Sequence, residues 1–218
     1  MVSGVGSLRH VPTLVLASAS PARRTTLAGA GLAPVVRVSG VDEDAEVARA
    51  GVTAPEDVAL LLARAKAEDV AAAADLPDDA LVLGCDSVLD LDGEAYGKPG
   101  DPAVAARRWR AMRGRSGVLH TGHWVVDARD TGAGGTGATF GAVASTVVHF
   151  ADLSDAEVDA YVATGEPLAV AGAFTVDGRG GAFVRGIEGD HHNVVGVSLP
   201  LLRELLAEVG VAWPALWR

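Results

Sequence analysis

The residue in this sequence with the most to say about chemistry is an aspartate that follows a short apolar run. Asp86 comes directly after ALVLGC (80–85), within GCDS (84–87). Ligands of open α/β sheets gather at the carboxyl ends of strands. A carboxylate emerging there can bind a divalent cation or act as a general base; a turn-capping aspartate is the other reading of the position. Along a strand Cys85 and Asp86 face opposite ways, which makes Cys85 a small buried filler. A second candidate is SASPARR, Ser18 to Arg24, between a strand and a helix. Backbone N–H groups at a helix N-terminus form an anion site, and Ser18 and Ser20 add hydroxyl donors. Arg23 and Arg24 put positive charge where it opposes the helix dipole. A bound anion would offset that penalty; a plain capped helix with solvated arginines is the alternative. In YGKPG (96–100) Lys98 is held between Gly97 and Pro99 in a rigid turn. Lys66 lies on a helix just after its apolar stripe, where a solvated lysine is the ordinary reading. Asp42, Glu43 and Asp44 in VDED (41–44) form either a solvated acidic loop or a set of metal ligands.

The composition narrows the chemistry. The 218 residues carry a net charge of −10, so the global drive for nucleic-acid binding, phosphate neutralisation with counterion release, is missing. Any phosphate that the chain binds must be held by a local cluster or a metal ion. Of the 18 basic residues only Lys66 and Lys98 are lysines; the rest are arginines, as a GC-rich genome would produce. Under that pressure a retained lysine marks a place where a compact ammonium is not equivalent to a guanidinium fork, or else survives by chance. One cysteine excludes an intrachain disulfide framework and a cysteine-rich zinc site, and points to a reducing cytoplasm. No run of about 18 apolar residues encodes a membrane span, and the first twelve residues contain no apolar stretch of a secretory signal. His120 and His123 are an odd number apart on an expected strand and so face opposite sides, while His191 and His192 fall in a polar turn. There is no HExxH and no G-x-S-x-G, which argues against a zinc or serine hydrolase.

Alternating elements must position these residues. Residues 13–17 read as a buried strand, followed by a helix from Pro21 to about Gly29. A strand is expected at 35–38, a long helix from Pro55 to about Ala74, and a strand at 80–85. Asp92-Gly93 marks a hairpin turn. Asp101-Pro102 opens a helix ending at Gly114. Strands are expected at 118–127 and 139–150, with a mobile glycine-rich linker between them. Ser154 and Glu157 form a capping box for a helix ending at Gly165. Two short strands are expected within 173–184, and a last helix at about 200–209. Strands alternating with helices give an α/β class.

Taken together, LASASPARR, VDED, ARAKA around Lys66, GCDS and GEAYGKP around Lys98 resemble the motifs of the Maf family, nucleotide pyrophosphatases first linked to septum formation. HTG (120–122), YVATGEP (161–167), AGAF (171–174) and NVVGVSLP (193–200) follow in the family's order, so the resemblance runs from about Leu14 to Gly210. It implies a single domain over 13–210, with tails at 1–12 and 211–218. The implied fold has a central mixed twisted sheet with helices on both sides and a cleft between two lobes, like inosine triphosphatase-type proteins. The implied reaction is hydrolysis of a nucleoside triphosphate to a monophosphate and pyrophosphate, with dTTP, UTP or modified nucleotides as candidate substrates and a possible link to division arrest. On this resemblance Asp86 is catalytic, with Lys66 and Lys98. Glu43 and Asp86 hold Mg²⁺ or Mn²⁺, and Ser18, Ser20, Arg23 and Asp177 bind substrate. A homodimer is a family expectation. Ala22 stands where the family usually has an Arg, Gly117 where it often has a His, Val170 where Lys is common and Asp177 where many members have Gln. These departures bear on substrate choice more than on reaction type. A nucleotidyltransferase would show a glycine-rich turn that SASPARR lacks. A non-enzymatic nucleotide-binding regulator of division is the remaining alternative.

Overall fold

β1 (Thr13–Ala17) is apolar, and its last four residues are buried. It ends in a turn that enters α1 (Pro21–Gly29). The computed structural model describes residues 11–218; of the tail expected at 1–12, residues 1–10 lie outside the described ones. β2 (Val35–Val36) is shorter than the 35–38 expected, an exposed edge of only two residues. Next comes a helix the sequence reading did not foresee, α2 (Glu43–Ala50). VDED is therefore not all loop: its last two residues open the helix and Asp42 caps it, its Oδ1 accepting from the Ala45 N–H at 3.0 Å. Glu43, Asp44 and Glu46 fill the first turn, where acidic side chains suit the dipole. α3 (Pro55–Ala71) then crosses the sheet.

β3 (Ala80–Leu91) runs twice as far as 80–85. Asp86 is therefore in mid-strand, not at a strand end. The reason is pairing. β3 lies parallel to β1 only as far as Ala17↔Gly84, but on its other edge β5 (Ser116–Asp127) continues antiparallel from Leu81 to Asp90. β4 (Glu94–Tyr96) covers the far end through a hairpin at Asp92-Gly93, where both residues take positive φ, 59° and 83°, as a two-residue turn requires. β1 thus stops just before Asp86 and leaves that edge of β3 unpaired from Cys85 until β4 begins at Leu89, so the strand-end logic applies to β1 instead. α4 (Pro102–Met112) precedes β5. β6 (Thr139–Phe150), α5 (Asp155–Ala163), β7 (Val184–Glu188), α6 (His191–Val195) and α7 (Leu199–Glu208) complete the chain. The seven strands form one mixed sheet in the order β2-β1-β3-β5-β6-β7, with β4 on β3.

The sheet carries helices on both faces, as expected. Leu14, Leu16, Leu81, Leu83 and Cys85 pack on one face against Leu27 of α1 and Leu202 and Leu206 of α7. Val15, Ala17 and Val82 face Ala67 and Val70 of α3 on the other. Further along β3, Leu89 and Leu91 enter a second core with Trp109, Phe150 and Tyr161. β3 therefore joins two packed halves, with Asp86 and Ser87 at the waist between them. Two glycines let α3 lie unusually close. A Cβ at Gly84 would collide with the Ala63 carbonyl oxygen, and one at Gly122 with that of Ala59.

Other expectations are corrected. Residues 173–184 are not a strand pair. They form tight 3₁₀ turns at Ala171–Ala173 and Arg179–Phe183 ahead of β7. Gly172 and Ala173 take φ of 68° and 61°, which no strand accommodates. The glycine-rich linker is braced at its base. The Asp127 carboxylate accepts from Arg129 Nε at 2.7 Å and from the Thr136 hydroxyl and N–H at 2.7 and 2.8 Å. Residues 211–218 lie against the core, with Val211 and Leu216 buried and the Arg218 N–H donating to Gly31 O at 3.0 Å. Among the described residues no helix is long and apolar enough to cross a membrane.

Candidate active site

The waist of the sheet opens into a cleft of about 510 Å³. Ser18, Ser20, Arg23, Glu43, Lys66, Asp86, Lys98 and Asp177 line it, while Asp42 and Asp44 of VDED do not. They come from β1–α1, α2, α3, β3, the turn after β4 and the segment before β7.

At the entry of α1, Ser20 is the N-cap, its Oγ accepting from the Arg23 N–H at 3.4 Å. Pro21 at the first helical position presets the backbone. Arg23 is buried and is held entirely by neutral oxygens. Its Nε donates to Gly196 O at 2.7 Å, and its two terminal nitrogens to Ser18 Oγ and Ser87 Oγ, each at 3.0 Å. Each of its three nitrogens is placed, and among the described residues no carboxylate is bonded to it. Arg24, grouped with Arg23 in the sequence reading, is exposed and does not line the cleft.

The sequence reading missed how Arg23 is supported. Thr121 Oγ1 donates to Asn193 O at 3.1 Å. The 2.9 Å contact between Ser87 and Thr121 hydroxyls then has Ser87 as donor, and Ser87 Oγ is left to accept from Arg23. Asn193 is fully buried and its side-chain nitrogen donates to Leu119 O and Thr146 Oγ1. The signal was present: Ser87 adjoins Asp86, and Thr121 is the centre of HTG.

Lys66 is not the solvated helical lysine of the ordinary reading. The close approach of α3 at Gly84 carries it over β3, where only 7% of its surface is exposed. Its Nζ lies 2.6 Å from Asp86 Oδ1 and 2.7 Å from Glu43 Oε1. One ammonium thus bridges two carboxylates. Burial raises the Asp86 pKa above the ordinary carboxylate range, against the pull of Lys66 and Arg23. Glu43 is shifted the other way. Its partial burial opposes ionisation, but the hydrogen bond and charge of Lys66, with Lys98 and Arg23, outweigh it. Lys98 is more exposed, 3.9 Å from Glu43 Oε1. Its turn is anchored where Gly97 O accepts from Arg108 at 2.6 Å and from the Gly172 N–H at 3.3 Å.

Cys85 faces the opposite core, and burial pushes its thiol up to about 12, so it is an inert filler. Among the described residues no histidine lines the cleft. His123 accepts from the Ser198 N–H at 2.8 Å and contacts Thr121 O through Nδ1 at 3.0 Å. Burial lowers its pKa to about 4, so it is a neutral structural link between β5 and α7.

A fixed guanidinium, a helix N-terminus and a carboxylate–ammonium cluster, set beside the carboxyl end of a parallel strand, define an α/β protein with a charged cleft at the end of its first strand. The particular family follows from comparison. A family model described as Maf-like protein matches residues 13–209, and the chain belongs to that family. A Streptomyces coelicolor protein named nucleoside triphosphate pyrophosphatase is 57% identical over 204 residues, 94% of each chain. A Nocardia farcinica protein of the same name is 56% identical over 210 residues, 94% of this chain and 97% of its own. A third so named, from Rhodococcus jostii, is 55% identical over 208 residues, 94% of this chain and 96% of its own.

Proposed function

We propose that the protein hydrolyses a nucleoside triphosphate to the monophosphate and pyrophosphate. The observation that carries this reading is the Asp86–Lys66–Glu43 cluster beside Arg23 and the α1 N-terminus in one cleft. The shared name of the relatives supports it. Water attacks the α-phosphorus, the bond from that phosphorus to the α–β bridging oxygen breaks, and pyrophosphate leaves with the bridging oxygen. Asp86 accepts the proton of the attacking water. Its desolvation makes it a stronger base than an exposed aspartate. Arg23 and Lys98 neutralise phosphate oxygens and the charge developing on the leaving group, and Lys66 moves from its carboxylates to phosphate. Ser18, Ser20 and the α1 N–H groups orient the chain of phosphates.

A divalent cation, Mg²⁺ or Mn²⁺, fits this donor set. Two carboxylates already converge on one cation, the Lys66 ammonium. Among the described residues no group of three or more His, Cys, Asp or Glu could enclose a metal alone. One or two carboxylates plus substrate phosphates and water is how Mg²⁺ is commonly held. Glu43 and Asp86 would hold the ion, which would supply charge neutralisation and polarisation of phosphate and water.

The segment before β7, including Asp177, forms the base side of the site, with dTTP, UTP or a modified nucleotide as substrate. Within the same reading the enzyme is a cytoplasmic homodimer, in keeping with its single buried cysteine and with the family expectation. The test is product analysis over a panel of natural and modified triphosphates with Mg²⁺ or Mn²⁺. Monophosphate and pyrophosphate in equal amounts are expected. Nucleotide bound without turnover would favour the regulator, and inorganic phosphate as the first product would overturn the cleavage site. Light scattering tests the dimer.

A further inference from the structure

Glu166 lies outside the cleft lining, yet more donors converge on it than on any cleft carboxylate. It follows α5 in TGEP, at the start of a short 3₁₀ turn, Glu166–Ala169. Its Oε1 accepts from Thr175 Oγ1 at 2.6 Å, Tyr161 Oη at 2.9 Å and the Gly180 N–H at 3.0 Å. Its Oε2 accepts from the Arg179 N–H at 3.1 Å. All four donors are neutral, and three belong to one stretch, 175–180. That stretch passes so close that side chains are excluded. A Cβ at Gly178 would stand 2.9 Å from both Glu166 carboxylate oxygens and 2.7 Å from Thr175 Oγ1. One at Gly180 would collide with the Tyr161 hydroxyl. The two glycines of DGRG are thus fitted to a carboxylate, and the loop is closed around it. Partial burial works against ionisation, but the bonds from Thr175, Gly180, Arg179 and Tyr161 outweigh it and bring the carboxyl down to about 2.

The cleft receives the other side of this loop. Phe174, Thr175 and Asp177 line it, while Glu166 does not. The Asp177 side chain is exposed and makes no hydrogen bond or ion pair among the described residues, so the backbone held by Glu166 fixes where it stands. We propose that Glu166 is a positioning residue for nucleobase recognition: it holds the 174–177 wall in place and so governs selection among bases, without acting on the phosphates. This rests on the functional reading above. The phosphate-binding groups come from β1–α1, α2, α3, β3 and the Lys98 turn, and none of them bonds to Glu166. Loosening the wall should therefore weaken base contacts and leave phosphate contacts intact.

The test compares Glu166→Gln with the wild-type chain on the best triphosphate, on triphosphates of the other bases, and with inorganic tripolyphosphate as a base-free competitive inhibitor. A glutamine amide turns a donor toward donors and cannot satisfy all four. The expected result is a rise in KM of about tenfold or more, kcat within about threefold, a flattened ranking of bases, and an unchanged inhibition constant for tripolyphosphate. Tyr161→Phe removes one donor of the four and should shift KM the same way by about two- to threefold, which keeps the test available if Glu166→Gln does not fold. An unchanged base ranking in both variants, or a tripolyphosphate constant that rises in step with KM, overturns the inference. A wild-type chain that releases pyrophosphate from no nucleoside triphosphate overturns the functional reading itself, and this inference with it.

Discussion

At the scale of single residues, the site turns on how one ammonium is shared. Lys66 bridges Asp86 and Glu43 at 2.6 and 2.7 Å, so without substrate the two carboxylates are held together by an internal cation. Asp86 is the more buried of the two and the one whose pKa is raised, which suits it to take a proton. Asp86→Asn keeps the shape and removes the charge and the basicity. It should lower kcat on the order of 100-fold or more with the chain still folded; turnover above about a tenth of wild type in the purified variant would remove Asp86 from this role. Lys98 presents a different case, exposed and 3.9 Å from Glu43. Gly97 is tied to Arg108 and Gly172, and Pro99 follows, so the turn cannot shift to fit a longer planar head. Lys98→Arg should therefore cost about 5- to 150-fold in kcat/KM although charge is kept. Wild-type kinetics would make it a lysine retained by chance.

At the scale of elements, the decisive contact is α3 on the sheet. Gly84 and Gly122 remove the side chains that would hold the helix off, and the lowered helix delivers Lys66 to Asp86. Gly84→Ala would put a methyl group into the Ala63 carbonyl and within 2.9 Å of Ala67. The helix must lift, at about 1–3 kcal/mol, and Lys66 must leave Asp86. The expected outcome is a lower denaturation midpoint together with a fall in kcat of more than about tenfold. Gly132→Ala, where nothing lies within 4 Å, should change neither. This dependence explains what could be read in advance. The buried strands, the capped helices and the Asp92-Gly93 hairpin carry local signals, and each forms. Asp86, Lys66 and Lys98 were legible as residue types in motif order. That Lys66 reaches Asp86 was not, because the approach depends on two glycines 38 positions apart that meet only after the sheet forms. Only the first half of β3 carries a local signal, because its second half is stabilised by partners, β5 and β4, that lie later in the chain. α2 was hidden because an acidic cluster reads as a solvated loop until Asp42 is seen to cap it.

At the scale of the whole molecule, an acidic protein must hold a polyanion. The chain carries −10, and long-range attraction for a triphosphate of about four negative charges is absent. Inside the cleft, Arg23, Lys66 and Lys98 face Asp86, Glu43 and Asp177, and the N-terminus of α1 adds about half a charge. The balance is about half a positive charge, too small to hold a triphosphate whose own oxygens repel one another. Lys66 cannot correct this alone: when it turns to phosphate it leaves both carboxylates uncompensated at the point where the substrate is most negative. Something cationic has to take its place between Glu43 and Asp86. Turnover should therefore require a divalent ion absolutely. Excess chelator should reduce it to below about 1% of the starting rate, and Mg²⁺ or Mn²⁺ added back should restore it. The denaturation midpoint measured in chelator should stay unchanged, since Lys66 already satisfies the pair in the free protein. Full activity in chelator would mean that Glu43 and Asp86 hold only Lys66, and that the polyphosphate is neutralised by side chains alone.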